Sequence, residues 1–393
     1  MTSSQLLVRP LAPSELMYFR FGLYVGYSTR VRGRLDPAVL GRAFETLRAA
    51  YPVLSTRIVQ DDESGPAIAT VPDVAAALFE VAGPVEDPLY ELPDLDGRAA
   101  AIHMVRGSDD TAAVTLLTHH AIADGHHSLH LLSELWQYYT AHAEGAPVAP
   151  ARHAYPHSLE HLLAARGVAV APAVELPDAD GLESPTGTSA YPAERVRTRL
   201  SANETRSLLA TGRQHGTTIN GLVSAALLAA TAQSRGVDID TLHYTYPVDL
   251  RSRVSPRIGY PEGTNVLSIA YFAADPHSER DLLALARAVS GTLRESIATG
   301  ALFTGGAELA SLLTPEALSK ALISTNWGVI PPLQTPADLT IEDFHPLMSD
   351  APLPALTPHV ITTYDGQLTI DTRAHTLDAG RLFAEHLHRL AAL

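Results

Sequence analysis

Apolar residues recur along this 393-residue chain at two spacings, one suited to strands and one to helices. Residues 21–34, FGLYVGYSTRVRGR, are rich in aromatic and β-branched side chains and predict a strand. A helix follows, with Asp36 as N-cap, Pro37 at its first position, and Val39, Leu40, Ala43, Phe44 and Leu47 on one face. Tyr51-Pro52 ends it, and 53–59 predicts another strand. Upstream, 9–20 reads as a turn leading into a short helix or strand; downstream, 61–66 is a polar turn and 67–97 gives only short strands and loops.

Two apolar runs, 100–106 and 111–118, flank Gly107-Ser-Asp-Asp and predict a hairpin whose second strand ends at His119-His120. After Asp124-Gly125, the residues Leu129, Leu132, Leu135, Trp136 and Tyr139 mark a helix with a buried face. Residues 141–191 carry Gly145, Pro147, Pro150, Pro156, Pro172, Pro177 and Pro185 around a short helix-like piece, 158–166. This is the linker candidate, and it divides the chain into an N-terminal lobe, 1–175, and a C-terminal lobe, 176–393.

The second half restarts with a strand at 196–200, and Ser201 with Glu204 forms a capping box for a helix through Arg213. Thr218 caps a helix, 219–233, that is apolar nearly all round and so predicted to be buried. Strands at 242–248 and 265–272, a helix at 281–297, and a strand with a turn at 322–330 follow. A hairpin turning at Asp365-Gly366 and a last helix, 378–390, complete an α/β pattern in two lobes.

Composition narrows the function classes. A net charge of −15 opposes nucleic-acid partners, which are bound mainly through Lys and Arg. No apolar run reaches the roughly 18 residues of a membrane span, and the N-terminus lacks a signal-peptide pattern, so a cytoplasmic protein is expected. The absence of cysteine excludes disulfides, thiolate metal ligands and a thioester carried on the protein itself.

The densest chemistry lies in 116–135, LLTHHAIADGHHSLHLLSEL. His126 and His130 have the one-turn spacing of metal ligands, but there is no His-Glu-x-x-His and Asp124 is the single carboxylate among the histidines at 119–130, so a wall of surface histidines is favoured over a metal site. A histidine at the end of a strand, with an ordinary pKa of about 6.5, can take a proton from a hydroxyl or amine attacking a carbonyl. Gly125 beside it permits close approach.

His119-His120-Ala-Ile-Ala-Asp124-Gly125 resembles the His-His-x-x-x-Asp-Gly signature of the coenzyme A-dependent acyltransferase superfamily, which includes chloramphenicol acetyltransferase and the condensation domains of peptide synthetases. Within it the chain looks most like the polyketide-associated acyltransferases, through RPLAPSE (9–15), YPVLSTRI (51–58), ADGHHSLHLLSELWQYYT (123–140) and YTYPVDLR (244–251). The resemblance implies two chloramphenicol acetyltransferase-like lobes with a substrate tunnel between them. It implies His120 as general base, His119 as its companion, Asp124 as the residue shaping the loop through an ion pair, with Arg251 the candidate partner, and Gly125 as the residue keeping the tunnel open. Asn326, in Ser324-Thr-Asn326-Trp-Gly328, is a candidate for the tunnel lining or the oxyanion side, or simply a turn asparagine.

Arg253 and Arg257 could attract a donor phosphate, although a solvated arginine is the commoner fate. The implied co-substrate is an acyl thioester of coenzyme A or of a phosphopantetheine carrier protein, with no permanently bound cofactor, a small-molecule alcohol as acceptor, and a monomeric enzyme. Amide formation, cyclisation, a noncatalytic carrier-docking role and a metal hydrolase remain as alternatives.

Overall fold

The structure is a computed structural model and describes residues 6–70, 77–169, 194–275, 281–303, 317, 320–348, 358–374 and 377–393. In chain order its elements are β1 (Leu6–Pro10), α1 (Pro13–Arg20), β2 (Tyr24–Gly33), α2 (Pro37–Ala50), β3 (Thr56–Asp61), β4 (Gly65–Thr70), β5 (Leu78–Ala82), β6 (Ala100–Arg106), β7 (Thr111–His119), α3 (Gly125–Ala143) and α4 (Leu159–Ala164). They continue with β8 (Glu194–Arg199), α5 (Ala202–Gln214), α6 (Ile219–Arg235), β9 (His243–Asp249), β10 (Leu267–Phe272), α7 (Leu282–Thr299), β11 (Ala321–Val329), β12 (Leu339–Met348), β13 (His359–Tyr364), β14 (Gln367–Ala374) and α8 (Leu377–Ala391).

The helix starts follow the caps legible in the sequence. Asp36 accepts from the N–H groups of Ala38 and Val39 at 2.8 and 3.3 Å, Thr218 from Gly221 at 3.0 Å, and Ser201 and Glu204 complete their reciprocal box. The final hairpin turns where Asp365 and Gly366 both take positive φ, 47° and 71°, the conformation that a two-residue connection demands.

Contacts divide the chain into two units, neither of them continuous in sequence: residues 1–167, 250–266 and 331–350 form one, and the remainder the other. The first holds a five-stranded sheet in the order β12-β2-β7-β6-β5 and a small sheet, β1-β4-β3. Helices α2 and α3 pack on each other, and α3 lies on β2 and β7. Tyr27, Leu40, Phe44, Leu47, Leu132 and Trp136 are all fully buried there. Strand β12 has no clear periodic signal: its sequence LTIEDFHPLM mixes charge and proline. Pro346 is tolerated because β12 is the edge strand of the sheet, where a missing N–H costs no ladder bond on the open side.

The second unit holds a six-stranded sheet, β10-β9-β11-β13-β14-β8, with β11 parallel to both neighbours and the other pairs antiparallel. Helix α6 is buried along Leu222, Val223, Ala225, Ala226 and Leu228, as its uniform apolarity predicts, and packs against α7 and α8.

Some expectations shift. The stretch 53–59 opens as a 3-10 turn, Pro52–Ser55, and only then becomes β3. The strand expected from Asn265 begins at Leu267, leaving Asn265 and Val266 with the first unit. Of the linker candidate, α3 takes the first residues and α4 the helix-like piece, while 170–191 lie outside the described residues. Among the described residues no helix is long and apolar enough to cross a membrane.

Candidate active site

Strand β7 pairs with β2 so that Tyr24 faces His119, and the backbone N–H of His120 reaches the carbonyl of Leu23 at 2.7 Å. The chain then turns through Ala121, Ile122 and Ala123 into α3, whose N-cap is Asp124. A 2.6 Å contact between the Thr118 and Ser128 hydroxyls ties the strand end to the helix start. The two histidines therefore sit on a short, doubly anchored turn.

His120 is 8% exposed and lies flat on Tyr18, with ring centroids 3.8 Å apart and planes 4° from parallel. Its Nδ1 is 3.0 Å from Oδ1 of Asn265, and Nδ2 of Asn265 donates to the His120 carbonyl at 2.7 Å. Burial pushes its pKa below the usual histidine value, against the backbone hydrogen bond, the charge of Asp124 and the Asn265 contact, which all favour the protonated form. His120 is thus a neutral imidazole near pH 7.

His119 has a different setting. Its Nδ1 accepts the Ala121 N–H at 3.1 Å, its ring meets Tyr24 edge-on at 5.0 Å, and burial lowers its pKa to about 3. One ring nitrogen is committed to the turn, so His119 braces the backbone that carries His120.

Asp124 accepts four hydrogen bonds: from Arg251 Nη1 at 2.9 Å and Nη2 at 3.1 Å, from the Val266 N–H at 2.8 Å and from the His127 N–H at 3.0 Å. Burial by itself would raise the carboxyl pKa; the Arg251 charge and hydrogen bonds, with lesser help from His126 and the His127 N–H, hold it well below the usual carboxylate range. A carboxylate so acidic and so fully occupied is a poor proton acceptor but a firm anchor. Gly125 is the first residue of α3, buried, and its carbonyl accepts the Tyr27 hydroxyl at 2.6 Å.

The segment carrying Thr264 and Asn265 is held in turn. Gly263 packs so closely that a Cβ would fall 2.4 Å from Val266 Cγ2 and 2.7 Å from Leu162 Cδ1. Thr264 donates to Glu15 at 2.6 Å, and Glu15, fully buried, also accepts from Arg9 at 2.7 and 2.8 Å and from the Ala12 N–H at 2.8 Å. The RPLAPSE stretch is therefore a brace for the segment that contacts His120.

The remaining candidates lie elsewhere. His126 is half-buried, and His130 is engaged by the Tyr51 hydroxyl at 3.0 Å, by Glu134 at 3.4 Å and by stacking on Tyr260. Arg253 and Arg257 are exposed. Asn326 belongs to the second unit, where its Oδ1 accepts the Gly328 N–H at 2.9 Å and its Nδ2 approaches Asn220 at 3.5 Å, with Gly328 at φ 78°. Tyr18 and Asn265 escaped the sequence reading. The one available signal for Asn265 was a lone carboxamide between Gly263 and an apolar strand.

Residues 189–373 match the family model described as the phthiocerol/phthiodiolone dimycocerosyl transferase C-terminus. Over 404 residues the chain is 28% identical to the phthiocerol/phthiodiolone dimycocerosyl transferase of Mycobacterium tuberculosis, spanning 95% of this chain and 94% of that protein. The Mycobacterium leprae protein of the same name is 29% identical, spanning 94% and 92%. Among solved structures, polyketide synthase associated protein 5 from Mycobacterium tuberculosis superposes with a TM-score of 0.81 at 27% identity, covering 99% of this chain and 98% of that one. The first condensation domain of the calcium-dependent antibiotic synthetase shares the fold at a TM-score of 0.67 and 18% identity, covering 98% and 97%. Over nearly its whole length the chain is thus similar to phthiocerol/phthiodiolone dimycocerosyl transferases, and it shares the fold of polyketide synthase associated protein 5.

Proposed function

We propose that the protein transfers an acyl group from a thioester of coenzyme A or of an acyl carrier protein to a hydroxyl of a polyketide or other secondary-metabolite acceptor, forming an ester. The observation that carries this reading is the buried, neutral imidazole of His120, fixed on an anchored turn in a chain that aligns end to end with acyl transferases.

The imidazole takes the proton of the acceptor hydroxyl as its oxygen attacks the thioester carbonyl. The tetrahedral intermediate collapses, the carbon–sulfur bond breaks, and the departing thiolate receives the proton back from the imidazolium. No acyl-enzyme on cysteine is available, because the chain has none, so proximity of two bound substrates supplies much of the acceleration. Gly125, buried at the start of α3, leaves room beside the base for the substrates. Asp124 and Arg251 hold the shape of the loop and take no part in proton transfer.

Incubating the purified protein with acyl-coenzyme A and acyl-carrier donors of graded chain length, together with alcohol and amine acceptors, tests the proposal by intact mass of the products. Ester products dependent on His120 support it. Amide products alone, or no transfer from any donor by a folded protein that still binds carrier, would replace it with one of the alternatives.

A further inference from the structure

Stacking on Tyr18 fixes the plane of the His120 ring but not which of its edges faces Asn265. The carboxamide settles that. Nδ2 of Asn265 is committed to the His120 carbonyl, which can only accept, so Oδ1 is the atom turned toward the ring. An amide oxygen also only accepts, and a ring carbon there would forfeit a buried hydrogen bond. The nitrogen at 3.0 Å must therefore carry the proton.

We propose that Asn265 is the positioning residue of the site: by holding Nδ1 as N–H, it keeps the His120 lone pair on Nε2 and makes Nε2 the atom that receives the acceptor proton. The catalytic part of this inference rests on the acyl-transfer reading above; the tautomer does not. Neither nitrogen could be chosen by Asp124, whose oxygens are taken by Arg251 and by the N–H groups of His127 and Val266. Nor does His119 choose it, since its Nδ1 is turned to the Ala121 N–H. Among the described residues the backbone carbonyl of His120 itself is the one other acceptor acting on the ring, and it favours the same protonated nitrogen as Asn265. Asn265 reaches the base from a segment 145 residues downstream. That segment is itself braced by the Thr264–Glu15 bond.

The tautomer is read directly by nitrogen NMR on histidine-labelled full-length protein, with the His120 signals identified by their loss in His120→Gln. In the wild type above pH 7, Nδ1 should appear as the protonated nitrogen and Nε2 as the bare one. A proton on Nε2 would overturn the proposal, whatever the enzyme turns out to acylate.

The functional arm uses two variants of the full chain. Asn265→Ala should lower kcat by roughly 10- to 100-fold, the usual scale for losing a group that orients a reacting histidine, with KM little changed. It should also move the acid limb of the kcat profile to lower pH, since a contact favouring the imidazolium is gone. Asn265→Asp retains an acceptor at Nδ1 and adds negative charge, so its limb should move to higher pH. A residue that only supports the fold would not shift the limb in opposite directions, and limbs unmoved in both variants would count against the proposal. If both variants fail to fold, the wild-type spectrum decides alone.

Discussion

Arg251 grips the carboxylate of Asp124 with two hydrogen bonds, 2.9 and 3.1 Å long, between side chains only 4% and 3% exposed. The pair joins the first turn of α3 to the 250–266 segment, and through Val266 it adjoins Asn265. Removing one partner strands a buried charge, a loss typically worth about 3–5 kcal/mol. Arg251→Ala should lower unfolding stability by that order, and Arg251→Lys should rescue only part, because an ammonium cannot reproduce the two-pronged fork. Urea unfolding measures both. A midpoint unchanged in Arg251→Ala would contradict a load on this pair.

Turnover should depend on His120 far more than on any other histidine. His120→Ala is expected to reduce kcat by roughly 10²- to 10⁴-fold, the range of general-base assistance. His119→Asn, which removes a brace and not a base, should cost less. Steady-state kinetics on any productive donor and acceptor distinguish the two; equal turnover of His120→Ala and wild type would sink the assignment.

On the proposed mechanism the same histidine sets the pH profile. Only neutral His120 can accept a proton, and burial lowers its pKa from the usual value of about 6.5. Activity should therefore be level above that value and decline only at lower pH than an ordinary histidine would dictate. An acid limb centred above pH 7 would be inconsistent with this environment.

Folding stability has its own acid dependence. Burial holds His119 and His127 near a pKa of about 3 in the folded chain, against roughly 6.5 when unfolded. Between those values the unfolded chain binds more protons, so stability is fully present above about pH 6.5 and declines as pH falls toward 3. Thermal melting at a series of pH values should show the decline, and His127→Leu should make it shallower. An unaltered slope in that variant would point to other groups.

Glu15 supplies a fifth test. It is fully buried and satisfied by Arg9, the Ala12 N–H and Thr264. Glu15→Ala leaves those donors without their acceptor, at about 1–3 kcal/mol each where they remain buried. The variant should melt earlier and lose activity beyond its loss of stability, because Thr264 directly precedes Asn265. Thermal melting and kinetics below the melting range separate the two effects.

Much of this molecule is legible in the linear chain because its causes are local. Asp36, Ser201, Thr218 and the Asp365-Gly366 turn act within three residues of themselves, so their spacing alone announced the elements they begin or join. His120, Asp124 and Arg251 were also readable, but through a resembling signature and not through spacing, since no periodicity pairs residues 127 positions apart. Tertiary structure decided what depends on distant segments meeting. Pro346 and the charges around it hid β12, whose strand character comes from its place at the edge of a sheet formed with β2. Tyr18 and Asn265 look unremarkable in sequence, and they matter because folding carries one to the face of His120 and the other to its Nδ1. A local hydrogen bond leaves a trace in the spacing of residues; a contact closed across 145 residues leaves none, because only the packed chain brings its two ends together.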